Sequence, residues 1–156
     1  MIEFLKTLGS FLGLFTSAVF FYDRMAKGFP IGSLTIEEET GRKLACIRIS
    51  NPSDYDIAIL SSTVKPDIYF LSEKMDVRNL VGGAAGHSPY FMLKPKESKL
   101  LIIVPKFAGS MALELKPQSV KFRFSWRRCN ATWMPQWPLH ICTHTQTIRK
   151  YGLEKI

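Results

Sequence analysis

The chain has 156 residues, 46% hydrophobic and 22% charged, which gives room for one domain of ordinary size plus an appendage and sets it apart from disordered chains. Its net charge of +8, from 21 Lys+Arg against 13 Asp+Glu, favours contact with polyanions or anionic lipid, with plain solubility as the competing reading. Cys46, Cys129 and Cys142 are odd in number and lack C-x-x-C spacing, so they support neither a disulfide framework nor a zinc site.

The first element is apolar. From Thr7 to Tyr22 no residue is charged. A helix over that stretch covers about 24 Å against a hydrocarbon core of about 30 Å, and the flanks supply the rest because Phe4 and Leu5 are apolar and Lys6 and Arg24 can snorkel. Glu3 beside Lys6, and Phe20-Phe21-Tyr22 after Thr16-Ser17-Ala18, argue against a cleaved signal peptide. An interfacial helix would need a polar face rich in Lys and Arg, and this one has a single Lys. The expectation is an uncleaved single-pass membrane anchor over residues 1–27. At helical spacing Gly9, Gly13 and Ser17 form a ladder of small residues that lets a second membrane helix approach, either a partner's or a second copy's. Arg24 and Lys27 close behind the segment lean toward a cytoplasmic body, as do unpaired thiols.

After a linker at 28–32, opening Gly28-Phe29-Pro30, the hydrophobic period changes to two, and a β-domain is expected over 33–156. SLTIEEETGRKLACIRISN reads as two strands around a turn at Thr40-Gly41, with Ala45, Ile47 and Ile49 on one face and Leu44, Cys46, Arg48 and Ser50 on the other. Asn51-Pro52-Ser53-Asp54 is turn chemistry, YDIAILSSTVK another strand, and Pro66 a break before DIYFL. Ser72 to Ser88, with its glycine-rich VGGAAGHS, reads as a long loop. YFMLKPKESKLLIIVPKF reads as strand, KPKE turn, strand. SVKFRFSWRR and PLHICTHTQT close the chain as a hairpin joined by CNATWMPQW. About seven short strands at intervals of some ten residues predict an all-β antiparallel sandwich or barrel.

IRISNPSDYDIAIL resembles the strand, polar turn, strand passage of bacterial immunoglobulin-like domains, and YFMLKPKESKLLIIV is similar to their later Leu-x-Pro-x-Glu-Ser turn between strands. The resemblance stays at fold level, and the Cys-Trp-Cys core of antibody domains is missing. It implies an immunoglobulin-like β-sandwich of about seven strands, a scaffold that often mediates protein contacts.

The last hairpin carries the candidate chemistry. Phe122, Phe124 and Trp126 alternate with Lys121, Arg123, Ser125 and Arg127, and Leu139 and Ile141 with His140, Cys142 and His144. Lys121, Arg123, Arg127 and Arg128 are the expected contacts for an anion or a lipid headgroup, and Trp133 and Trp137 in the adjoining loop for a protein. Neighbours in His140-x-Cys142-x-His144 share a face and could chelate one ion, but all three cannot, because the outer pair stands about 13 Å apart along a strand, and the cations opposite disfavour a metal. Asp54-Tyr55-Asp56 lacks the spaced ligands of a calcium loop, and Gly82-Gly83-Ala84-Ala85-Gly86 lacks the Lys-Ser/Thr of a P-loop. No catalytic constellation, metal site or cofactor site is assigned, and nucleic acid is disfavoured because inward aromatics cannot stack on bases. The expected function is a membrane-anchored, non-enzymatic accessory or assembly protein that meets a membrane partner; the alternative is an anionic-lipid or polyanion-binding module.

Overall fold

The computed structural model describes residues 13–20, 28–39, 42–73, 90–106 and 116–152. Residues 13–20 are helical, α1. Eight strands follow: β1 (Ile31–Glu39), β2 (Arg42–Ser50), β3 (Ile57–Lys65), β4 (Tyr69–Ser72), β5 (Phe91–Leu93), β6 (Ser98–Pro105), β7 (Ser119–Arg128) and β8 (Trp137–His144). A helix, α2 (Thr145–Gly152), ends the described chain. The strands form two sheets, ordered β1-β2-β6-β4 and β5-β3-β7-β8, and every neighbouring pair is antiparallel. The expected all-β sandwich is present.

Its core follows from the period-two pattern. In β7, Val120, Phe122, Phe124 and Trp126 are buried while Lys121 and Arg123 between them are exposed. Facing them from the first sheet are Ala45, Ile47, Ile49, Leu101 and Ile103, so both inner faces supply one cluster. Each such large side chain contributes about 1.5–3 kcal/mol when fully buried. Leu44 and Cys46 do take the opposite face of β2, but they join Ile102 and Val104 in a second buried cluster, so only Arg48 is exposed there.

The β1–β2 hairpin runs in register from Ile31↔Ser50 to Glu39↔Arg42, and the expected turn at Thr40-Gly41 lies outside the described residues. The domain boundary needs correction, however. Gly28 and Pro30 are buried and β1 already begins at Ile31, so residues 28–32 belong to the sandwich. The Phe29 ring meets Trp126 edge-on at 5.4 Å and tilts against Trp137 at 5.7 Å, while Tyr55 Oη donates to the Gly28 carbonyl at 2.7 Å. Aromatic contact together with a satisfied polar end ties residues 28–30 to the sandwich. At Gly32, β1 passes close beneath β8: a Cβ would run into Ile141 and stand 3.3 Å from Leu139, so glycine lets the two sheets close at that corner.

Asn51 is the polar hub at the same end. It is 1% exposed, and its Nδ2 donates to the carbonyls of Tyr55 (2.8 Å), Lys94 (3.0 Å) and Leu93 (3.1 Å). Its Oδ1 accepts from the Ser53 N–H at 3.1 Å and from the Ser53 hydroxyl. The expected Asn-Pro-Ser-Asp turn is therefore also a clamp, fastening the β2–β3 connection to the β5–β6 turn.

The final strand ends sooner than its sequence suggests. β8 stops at His144, and Thr145 opens α2 instead of continuing the strand. Thr145 is fully buried: its N–H donates to the Gln118 carbonyl and its Oγ1 accepts the Gln118 N–H, both at 3.0 Å. A threonine hydroxyl that satisfies backbone outside its own strand competes with the ladder. The turn brings Ile148 into the core.

Candidate basic sheet face

The outer face of the second sheet is built from register. On β7, the residues that alternate with the buried aromatics are Lys121, Arg123, Ser125 and Arg127. On β8, His140 lies opposite Arg123, Cys142 opposite Lys121 and His144 opposite Ser119, and all three side chains on β8 are exposed. Sequence alternation thus places this part of the face correctly.

β3 adds what the alternation missed. Its register with β7 slips between Ile59 and Ser61, which leaves Leu60 as an extra residue. A bulge re-phases a strand, so Ile57 and Ile59 point into the core while Ser61, Thr63 and Lys65 point outward beyond it. Lys65 therefore stands directly opposite Lys121, and Thr63 opposite Arg123. The sequence signal was the adjacent pair Ile59-Leu60, where strict alternation breaks. Directly opposed side chains have Cβ atoms about 4.5–5.5 Å apart, so the two ammonium groups share one region of the surface.

Among the described residues the face carries no acid at its outward positions on β3, β7 and β8. Four cations elsewhere are paired: Arg48 with Glu37 at 2.9 Å, Lys96 with Asp54 at 3.0 Å, Lys99 with Glu73 at 2.7 Å, and Lys106 with Asp67. None of the described ion pairs reaches Lys65, Lys121, Arg123 or Arg127. Asp56 stands at the rim, where its carbonyl accepts the Cys129 N–H at 3.0 Å. Burial pushes the Cys129 thiol up, Asp56 adds to the rise and Arg127 opposes it, which is the reverse of an activated nucleophile.

Arg128 does not belong to the face. It is opposite the buried Ile57, and its guanidinium stacks over the Tyr55 ring at 4.1 Å. There it lines an open cleft of about 690 Å³ with Gly28, Phe29, Asp54, Tyr55 and Lys96. The two tryptophans also part company. Trp133 is 82% exposed, whereas Trp137 rests on Phe29 and opposes Trp126 across the hairpin. A free contact surface fits Trp133; Trp137 holds the chain entry.

Of the small-residue ladder, Gly9 lies outside the described residues. Gly13 and Ser17 lie on α1, where Ser17 Oγ donates to the Gly13 carbonyl at 2.8 Å. Leu14, Phe15, Val19 and Phe20 on this helix are exposed. Among the described residues no helix is long and apolar enough to cross a membrane; most of the segment expected to do so, with the flanks at 1–12 and 21–27, lies outside them. The glycine-rich stretch at 82–86 also lies outside them. Among the described residues no three His, Cys, Asp or Glu side chains come together around a metal position.

No protein-family model and no curated protein matches this chain.

Proposed function

We propose that the chain is a membrane-tethered accessory or assembly protein of non-enzymatic type, with an immunoglobulin-like sandwich as its contact domain. The observation that carries this reading is the chain entry. Phe29 against Trp126 and Trp137, and Gly28 held by Tyr55, fasten to the sandwich the chain just beyond the segment expected as an anchor. A segment seated in a bilayer then keeps the body near the membrane, and a weak contact made by the body gains from the raised local concentration.

Strand order supports the immunoglobulin-like part. Without the three-residue β5, the sheets run β1-β2-β6-β4 and β3-β7-β8. Lettered along the chain, that is the A-B-E-D and C-F-G order of constant-type immunoglobulin domains. In this reading the body lies on the cytoplasmic side, Gly9, Gly13 and Ser17 pack on a partner's membrane helix or a second copy's, and Trp133 offers the soluble contact.

The test is fractionation of the full chain expressed in bacteria. Resistance to carbonate and high-salt washes, with the body shielded from protease until the inner membrane is opened, is the expected result. Release by carbonate would sink the tether. Equal recovery of co-purifying membrane proteins by the wild type and by a Gly13→Leu/Ser17→Leu variant would remove the packing role of the ladder.

A further inference from the structure

We infer that the outer face of the second sheet docks on the phosphate headgroups of an anionic bilayer, through Lys65, Lys121, Arg123 and Arg127. The face is made by the register, and Lys65 joins it only because of the bulge at Leu60. Like charges directly opposite in a sheet destabilise it. Lys65 and Lys121 are so placed while the four described ion pairs lie elsewhere on the molecule. A surface that concentrates cations and leaves acids out is suited to an external anion.

The chemistry between the cations fits phosphate. Thr63 and Ser125 place hydroxyl donors among them, and arginine forks match phosphate oxygens. From Lys121 to Arg127 the face extends about 20 Å along the strand, across three adjacent strands. That is a broad sheet surface and not a pocket, so it suits a broad anionic partner. Nucleic acid is the less favoured polyanion, since Phe122, Phe124 and Trp126 point into the core and are not offered to bases as a stacking platform. The choice of a bilayer rests on the tether reading above; the face itself does not. Each Lys or Arg near an anionic leaflet strengthens attachment by about fivefold, and high salt screens the effect.

Cys142 reports on the face directly. It is exposed and opposite Lys121, whereas Cys46 is buried. The experiment uses the full chain carrying Cys129→Ser, inserted in vesicles of phosphatidylcholine alone or with one third phosphatidylserine. The rate at which a water-soluble maleimide reaches Cys142 is then measured. The expected result is labelling about tenfold slower or more on the anionic membrane, restored by 0.5 M salt, and equal on both membranes for Arg123→Glu/Arg127→Glu. Lys121→Gln/Arg123→Gln, a milder change, is expected to lose most of the protection and guards against a reversal variant that misfolds. Equal rates on the two membranes for the parent chain would overturn the inference. So would protection that survives both variants, or protection by a short DNA duplex but not by phosphatidylserine. If carbonate releases the chain, the tether reading has failed, and the same two vesicle types are added to the released protein. Salt-sensitive sedimentation with the anionic vesicles alone then upholds the face, and sedimentation with neither overturns it.

Discussion

Replacing Asn51 by alanine tests how the entry end of the sandwich is held together. The amide group has two N–H protons for three carbonyls, those of Tyr55, Leu93 and Lys94, so it supplies two full donor bonds, one of them shared. Its oxygen accepts two more from Ser53. Four bonds at about 1 kcal/mol each give a loss of about 4 kcal/mol. A domain of this size has only about 5–15 kcal/mol in total. With a urea slope of about 2 kcal/mol/M the midpoint falls by about 2 M. The assay is urea unfolding of the full chain in mild detergent, followed by the emission of Trp126, which is 3% exposed in the fold. Asn51→Asp sharpens the test, because it keeps the shape but turns a donor into a carboxylate facing carbonyl oxygens. Burial raises such a carboxyl above its unfolded value of about 3.9. The penalty is then absent below about pH 4 and grows as the pH rises, so Asn51→Asp regains stability on acidification relative to wild type while Asn51→Ala does not. A midpoint shift under about 0.5 M for Asn51→Ala would refute the clamp.

Other predictions concern separate parts of the structure. Tyr69 is 1% exposed and its hydroxyl has no hydrogen-bond partner among the described residues, so Tyr69→Phe is expected to leave the unfolding free energy unchanged or raise it by up to about 1 kcal/mol in urea titrations. Burial raises the Tyr69 pKa, with Arg149 opposing, so the unfolded chain ionises first and wild-type stability falls as the pH climbs past about 10; Tyr69→Phe should lose less over that range. Phe29→Ala removes a partly buried ring from Trp126 and Trp137 and should cost about 2 kcal/mol, with a red shift of tryptophan emission in the folded state. Lys65→Glu turns a like-charge pair into an opposite one, and should raise the unfolding free energy by about 0.2–1 kcal/mol at low salt, read in urea titrations, an advantage that fades at 0.5 M salt.

Alternation along β2 and β7 was enough to place their core-facing residues, because a half-buried strand must put its apolar residues on one side. The Asn51 turn and the KPKE turn were legible for the same kind of reason: their side chains act locally, and Lys96 in the second takes a positive φ of 62°. What could not be read depends on partners far along the chain. Thr145 ends β8 by bonding to Gln118, 27 residues away, and nothing in PLHICTHTQT announces that. The second apolar cluster at Leu44, Cys46, Ile102 and Val104 needs β2 and β6 to be adjacent, a pairing that no local pattern specifies. Arg128 looked like the next cation in a row, yet the step from Arg127 to Arg128 crosses from the outer face to the inner one, where Tyr55 receives it. Lys65 was hidden by a single inserted residue.

That inserted residue links fold to function. With an unbroken register β3 would have carried Ser61, Thr63 and Lys65 on the core side, where an ammonium group costs several kcal/mol. The bulge avoids this and so sets a lysine against Lys121, where an acidic side chain in either position would make a better sheet. Stability alone therefore does not select the pair seen. A bound anion changes the balance, since it neutralises both ammonium groups at once and converts their proximity from repulsion into shared attraction. The proposed docking role is in keeping with the described ion pairs lying on the first sheet, its loops and the entry end, while the described outward positions of the second sheet carry no acid. An acid placed there would stabilise the free protein by a few tenths of a kcal/mol and compete with phosphate for the same guanidinium and ammonium donors.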